Sequence, residues 1–216
     1  IVQKCYESVC KHSNQKIILL NDQNLADYIR LPDYIEKKKD TGQIPIARYA
    51  NLIEFALLEH YGGTWIDSTV YLTDPIPDVI LNSDFFAVRN SLLLIDNPVL
   101  YPAWFLHAKK ENNTIREIRN VAFAYWLKNE HVIEYLLPNL IITLVVKSNS
   151  EVEQAIPYMN SDYSEYLVKV LADDYSEEKW NWIKKLTGIH KLTYKLETAI
   201  NRKDSFYQHI IAEKNK

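Results

Sequence analysis

Between Ile46 and Tyr61 apolar residues recur at helical spacing: Ile46, Ala50, Ile53, Leu57 and Tyr61. Steps of three and four residues put them on one side of a helix and predict a buried face. Gly62 follows the last turn and suits the left-handed conformation that ends many helices. The stretch 64–73 (TWIDSTVYLT) is rich in β-branched and aromatic residues and predicts a strand, which Asp74-Pro75 and Pro77 terminate. Upstream, 1–12 (IVQKCYESVCKH) reads as a helix, 16–22 (KIILLND) as a short buried strand, and 31–42 (LPDYIEKKKDTG) as a short helix with Pro32 near its start and Gly42 past its end. Downstream, 84–90 and 91–96 read as two strands joined at Asn90-Ser91, and 112–129 as an amphipathic helix. The run 130–146 (EHVIEYLLPNLIITLVV) is ambiguous, because Pro138 breaks or kinks a helix while the residues after it have strand composition. A helix over 176–188, a short extended segment at 189–195 (IHKLTYK) and a final stretch, 205–215, complete the pattern. Helices interleaved with strands indicate an α/β fold.

Size and charge narrow the classes. A chain of 216 residues, 47% hydrophobic and 25% charged, predicts one globular domain over 1–216, with a helical part from about 111 onward packed on the sheet core. The net charge of −3 gives no electrostatic footprint for nucleic acid. The longest apolar run, 140–146, is too short to span a bilayer. Cys5 and Cys10 lie five residues apart on a helix, about 140° around its axis, a poor geometry for a disulfide. The chain opens at Ile1 in what reads as mid-helix, so the expectation is that an N-terminal segment precedes it.

The chemistry centres on Asp67, a carboxylate in an otherwise strand-like run after Gly62-Gly63. Ligands of open α/β sheets bind at the carboxyl ends of strands. On one continuous strand Asp67 and Thr69 share a face, and two oxygens so placed suit a hard cation such as magnesium or manganese. The competing reading is a strand-end Asp satisfied by a turn. On the preceding helix Arg48, Asn51 and Glu54 are three apart, either an exposed polar stripe or one that faces a ligand. The late His190-Lys191 pair, with Lys195 beyond it, offers an imidazole for metal and ammonium groups for phosphate. Neither a nucleophile elbow nor a glycine-rich phosphate loop is present.

The segment ARYANLIEFALLEHYGGTWIDSTVYLT, together with YPAWFLHAKKENNTIREIRNVAFAYWLKN and IHKLTYK, resembles the capsular polysaccharide synthesis glycosyltransferases, relatives of the Asp-x-Asp sugar-binding-region glycosyltransferases. The resemblance runs from about Ile1 to about Ile211. It implies a GT-A-type nucleotide-diphospho-sugar transferase fold whose first strand and donor-binding loop would lie before Ile1. It also implies Mn2+ or Mg2+, a nucleotide-sugar donor, a glycan or lipid-linked acceptor, and a hexosyltransferase working in the bacterial cytoplasm or on the inner face of the membrane. On that basis Asp67 is the catalytic and metal-binding residue, with Thr69 in the second acidic position. Asn51, Thr69, His190 and Lys191 are the donor-binding candidates. The sequence departs from the family pattern where relatives usually show Ser-Asp and then Arg, positions here held by Ala50, Asn51 and Glu54, and where Asn139 stands in place of a His. Those departures support a second reading, a non-catalytic sugar- or nucleotide-binding relative. A third, a metal phosphohydrolase, would rest on Asp67 acting with His190.

Overall fold

Where the periodicity is long, helices form as expected; where a short apolar run needs a partner, the outcome depends on whether one is in reach. In the computed structural model, which describes residues 1–91, 96–196 and 201–213, the chain begins with helix α1 (Val2–His12), α2 (Leu25–Tyr28), α3 (Asp33–Asp40) and α4 (Ile46–Tyr61). Strands β1 (Gly63–Ile66) and β2 (Val70–Leu72) follow, then α5 (Asp78–Leu81), β3 (Phe85–Ala87) and β4 (Phe105–Ala108). The remainder is α6 (Asn113–Lys128), α7 (Leu137–Lys147), α8 (Ser150–Ala155), α9 (Ser161–Ser164), α10 (Tyr166–Lys169), α11 (Glu177–Leu186), β5 (Ile189–Lys191) and α12 (Phe206–Ala212). The chain is thus a mixed α/β protein with small sheets. Its residues gather into two compact units.

One unit contains Leu19–Trp65 and Asp78–Met159. Here α4 lies against α6 and α6 against α7, over a sheet of order β1-β4-β3 in which β3 and β4 run antiparallel. Leu52, Phe55 and Leu58 of α4 meet Ile115, Ile118 and Trp126 of α6 and Ile142 and Val146 of α7 in one apolar core. The buried side of α4 differs from the expected one. Tyr49, Leu52, Ile53, Phe55, Ala56 and Leu58 are buried, whereas Ile46 and Tyr61 are 70% and 51% exposed. This helix is apolar nearly all round, so periodicity defines two possible stripes and packing selects between them. The ambiguous run after residue 130 resolves as a helix. Pro138 sits in the first turn of α7, where its missing N–H breaks no helical bond.

Two strand expectations fail. Residues 16–22 are irregular, with Ile18 and Leu19 exposed; an apolar run becomes a strand only beside a free sheet edge, and among the described residues none pairs with it. The run 64–73 is two strands, not one, broken by a turn at Asp67–Thr69. The strand expected over 91–96 falls largely on residues 92–95, outside the described residues.

The other unit contains Ile1–Ile18, Ile66–Pro77 and the chain from Asn160 onward. Its centre is an antiparallel ribbon of β2 and β5, with α1 against β2 and α9 and α10 against β5. Cys5, Tyr71, Leu167, Trp180, Ile183, Leu192, Phe206 and Ile210 form its core. Both cysteine thiols, Cys5 and Cys10, are free.

Gly62 ends α4 with φ +70°, and a Cβ there would lie 2.5 Å from the backbone nitrogen of Lys110. Gly42 has a similar φ of +76° but open space around it. Gly62→Ala should therefore cost both backbone strain and a steric clash, about 2 kcal/mol or more, and Gly42→Ala only the strain, about 1 kcal/mol. Urea denaturation of the two variants checks the difference; equal losses would show that the approach to Lys110 relaxes freely.

Candidate functional site

The turn that divides 64–73 is what positions Asp67. Its carbonyl accepts from the Val70 N–H at 2.9 Å, closing the turn just before β2. β2 then pairs with β5 in a register that sets Val70 opposite Lys191, Tyr71 opposite His190 and Leu72 opposite Ile189. The ribbon is extended at both ends. Leu192 N–H donates to the Thr69 carbonyl at 2.8 Å, and Thr73 N–H donates to the Gly188 carbonyl at 2.9 Å. Gly188 is required for that fit, since a Cβ on it would lie 2.7 Å from Asp74 Cβ.

This register delivers the Lys191 ammonium to the turn. Nζ donates to Asp67 Oδ2 at 2.7 Å and to Thr69 Oγ1 at 2.8 Å. Thr69 is buried, while the Lys191 and Asp67 side chains are 22% and 37% exposed. An ion pair this open to water contributes on the order of 1 kcal/mol or less to stability. Its main effect is orientation: two charge-assisted bonds fix where the positive charge stands.

His190 takes the other direction. Successive strand residues point to opposite faces, so its ring lies on the face of the ribbon away from Lys191. There it is fully buried, with Nε2 2.9 Å from Thr73 Oγ1 and no partner for Nδ1 among the described residues. Burial pushes its pKa down to about 4, so it is neutral at pH 7. The sequence pairs His190 with Lys191 on the donor, or with Asp67 in a phosphohydrolase; in the structure alternation sets its ring on the face away from Lys191 and buries it.

Asn51 lies in the other unit. On α4 it links its neighbours: Arg48 Nη1 donates to Asn51 Oδ1 at 3.2 Å, and Asn51 Nδ2 donates to Glu54 Oε2 at 3.0 Å. Glu54 is completely buried, so the polar stripe is not a solvated face. Asn139, the other departure noted in the sequence, accepts from the Ala103 N–H at 3.2 Å and serves the core.

The structure adds one residue that no sequence signal marked. Glu165, between α9 and α10, packs near β5; burial pushes its carboxyl up, Lys169 and Lys191 pull it down, and Asp162 pushes it up. It sits in a polar stretch, 160–165, that carries no periodicity or motif.

A divalent ion fits this corner poorly as it is arranged. Magnesium binds oxygens at about 2.0–2.1 Å in octahedral geometry, through one or two carboxylates plus phosphates and waters. An ion bridging Asp67 and Thr69 would have to displace the ammonium that already bonds both oxygens. Among the described residues no group of three or more His, Cys, Asp or Glu side chains is placed to hold a metal.

The family model for capsular polysaccharide synthesis proteins matches residues 1–210. The chain belongs to that family. Among solved structures, the PaToxG glycosyltransferase is similar at 15% identity and a TM-score of 0.40, over 83% of this chain and 56% of its own length. A comparison with curated proteins finds no match. Among the described residues of this capsular polysaccharide synthesis family member, no helix is long and apolar enough to cross a membrane.

The buried imidazole makes a pH prediction. Because the folded pKa of His190, about 4, lies below its ordinary 6.5, its neutral form contributes stability that is complete above pH 6.5 and is lost as pH falls toward 4. Urea midpoints should fall over that window, and the fall should be shallower in His190→Asn, by up to about 3 kcal/mol. Parallel pH profiles for the two proteins would show that His190 protonates as readily in the folded state as in the unfolded one.

Proposed function

We propose that this protein is a glycosyltransferase of surface-polysaccharide assembly, with a GT-A-type nucleotide-diphospho-sugar fold. It moves a sugar, a hexose in the simplest case, from a nucleotide-diphospho-sugar to a growing glycan or lipid-linked acceptor in the cytoplasm or at the inner membrane face. Family membership supports the setting. The observation that carries the reading is the meeting of Asp67, Thr69 and the Lys191 ammonium directly after the Gly62-Gly63 turn. Transfer breaks the bond between the sugar's anomeric carbon and the diphosphate oxygen, and the electron pair leaves with the diphosphate. The acceptor hydroxyl oxygen forms the new bond, and its proton passes to the released phosphate or to solvent. Charge therefore builds on the leaving diphosphate, where a fixed cation lowers the barrier. Lys191 supplies one, and Asp67 and Thr69 hold it in place. In the other unit, and by itself, Asn51 is a candidate for hydrogen bonds to sugar or ribose hydroxyls.

The second reading, a sugar-nucleotide-binding protein without turnover, draws on Glu54, a buried carboxylate where relatives usually carry an Arg. Both readings are separated by incubating the protein with nucleotide-sugars and following nucleoside diphosphate release in the presence of capsular acceptor extracts. Turnover reduced about 100-fold or more by Asp67→Ala supports the transferase, a loss typical of removing a group that organises transition-state charge. Binding without turnover supports the second reading, and turnover unchanged in Asp67→Ala overturns the site.

A further inference from the structure

We infer that Lys191 itself serves as the cation for the donor diphosphate, so that nucleotide binding at the Asp67–Thr69 turn needs no divalent metal. This rests on the transferase reading and specifies how its site holds the donor. An ammonium has three N–H donors and no acceptor. Two are used, on Asp67 at 2.7 Å and Thr69 at 2.8 Å, and among the described residues the third has no hydrogen-bond partner. The Lys191 side chain is partly open to solvent. Two fixed bonds leave the ammonium little freedom to rotate, and a phosphate oxygen that accepts the third completes its coordination.

The substitution of Asp by Thr at position 69, relative to an Asp-x-Asp pair, fits this arrangement. Two carboxylates would give the turn two negative charges and favour a divalent ion. One carboxylate and one hydroxyl balance a single ammonium. With Asp67 and Lys191 cancelling in formal charge, attraction for the diphosphate is directional rather than a matter of net charge, through a charge-assisted hydrogen bond of the kind that lysines make to phosphate. A metal added at the same oxygens would have to expel a positive group already bonded to both, against like-charge repulsion at close range.

Isothermal titration of the full chain with ADP, CDP, GDP, UDP and dTDP, in EDTA and again in excess manganese, tests this. The expected result is that at least one nucleoside diphosphate binds in EDTA, with an affinity within about threefold of that in manganese, and that Lys191→Met weakens it about 10- to 100-fold, the cost of a lost charge-assisted bond. Thermal melting confirms that the variant folds; if it does not, Lys191→Arg, which keeps the charge but not the compact ammonium, should still weaken binding. Binding that appears only with manganese overturns the inference and leaves the transferase reading intact. Binding in EDTA that ignores both Lys191 variants overturns it as well. Binding of no nucleoside diphosphate under either condition overturns the inference and the donor reading together.

Discussion

The pairing of β2 with β5 is the constraint on which the site depends. It joins parts of the chain separated by 124 residues in the case of Asp67 and Lys191, and 122 in the case of Thr69 and Lys191. Each strand is only three residues long, so ladder bonds alone hold it weakly. The ribbon persists because α1, α9 and α10 pack against it and because Tyr71 and Leu192 are anchored in the unit's apolar core. Contacts this distant in sequence form late, after the loop-closure entropy has been overcome. The Asp67 turn is a local structure; its cation is a tertiary one.

How far the sequence discloses the fold depends on how many choices the pattern leaves open. The existence of α1, α3, α4, α6 and α11 is plain from spacing and end signals, because a long amphipathic run has few alternatives. The buried side of α4 is not, since Leu52 and Phe55 are as apolar as Ile46 and Leu57 and only the arrival of α6 decides between them. The segment 137–147 has strand-like residues, yet its length and the tolerance of a first turn for Pro138 favour a helix once apolar neighbours are available on one side. Residues 16–22 have the composition of a buried strand without a sheet edge to join.

The site shows the same division. Asp67, Thr69 and Lys191 are legible as candidates through the Gly-Gly turn and the late His-Lys pair, which single out residues without stating their geometry. That His190 turns inward while its neighbour turns out follows from strand alternation, but only once 189–191 is known to be a strand and its register with β2 is fixed. Glu165 carries no signal because burial and nearby lysines, not sequence context, set its properties. The link Arg48–Asn51–Glu54 is legible as a stripe, but spacing cannot show that Glu54 is sealed from solvent.

The adjacent, opposed directions of His190 and Lys191 also act as a proofreading device for the ribbon. A slip of one residue in the pairing would exchange the two faces. It would present a neutral ring to Asp67 and drive an ammonium into the packed interior beside Thr73, where an unpaired charge is far more costly than a neutral imidazole. The alignment that assembles the candidate site is therefore also the alignment that avoids burying a charge, so mispaired chains are disfavoured by the same two side chains.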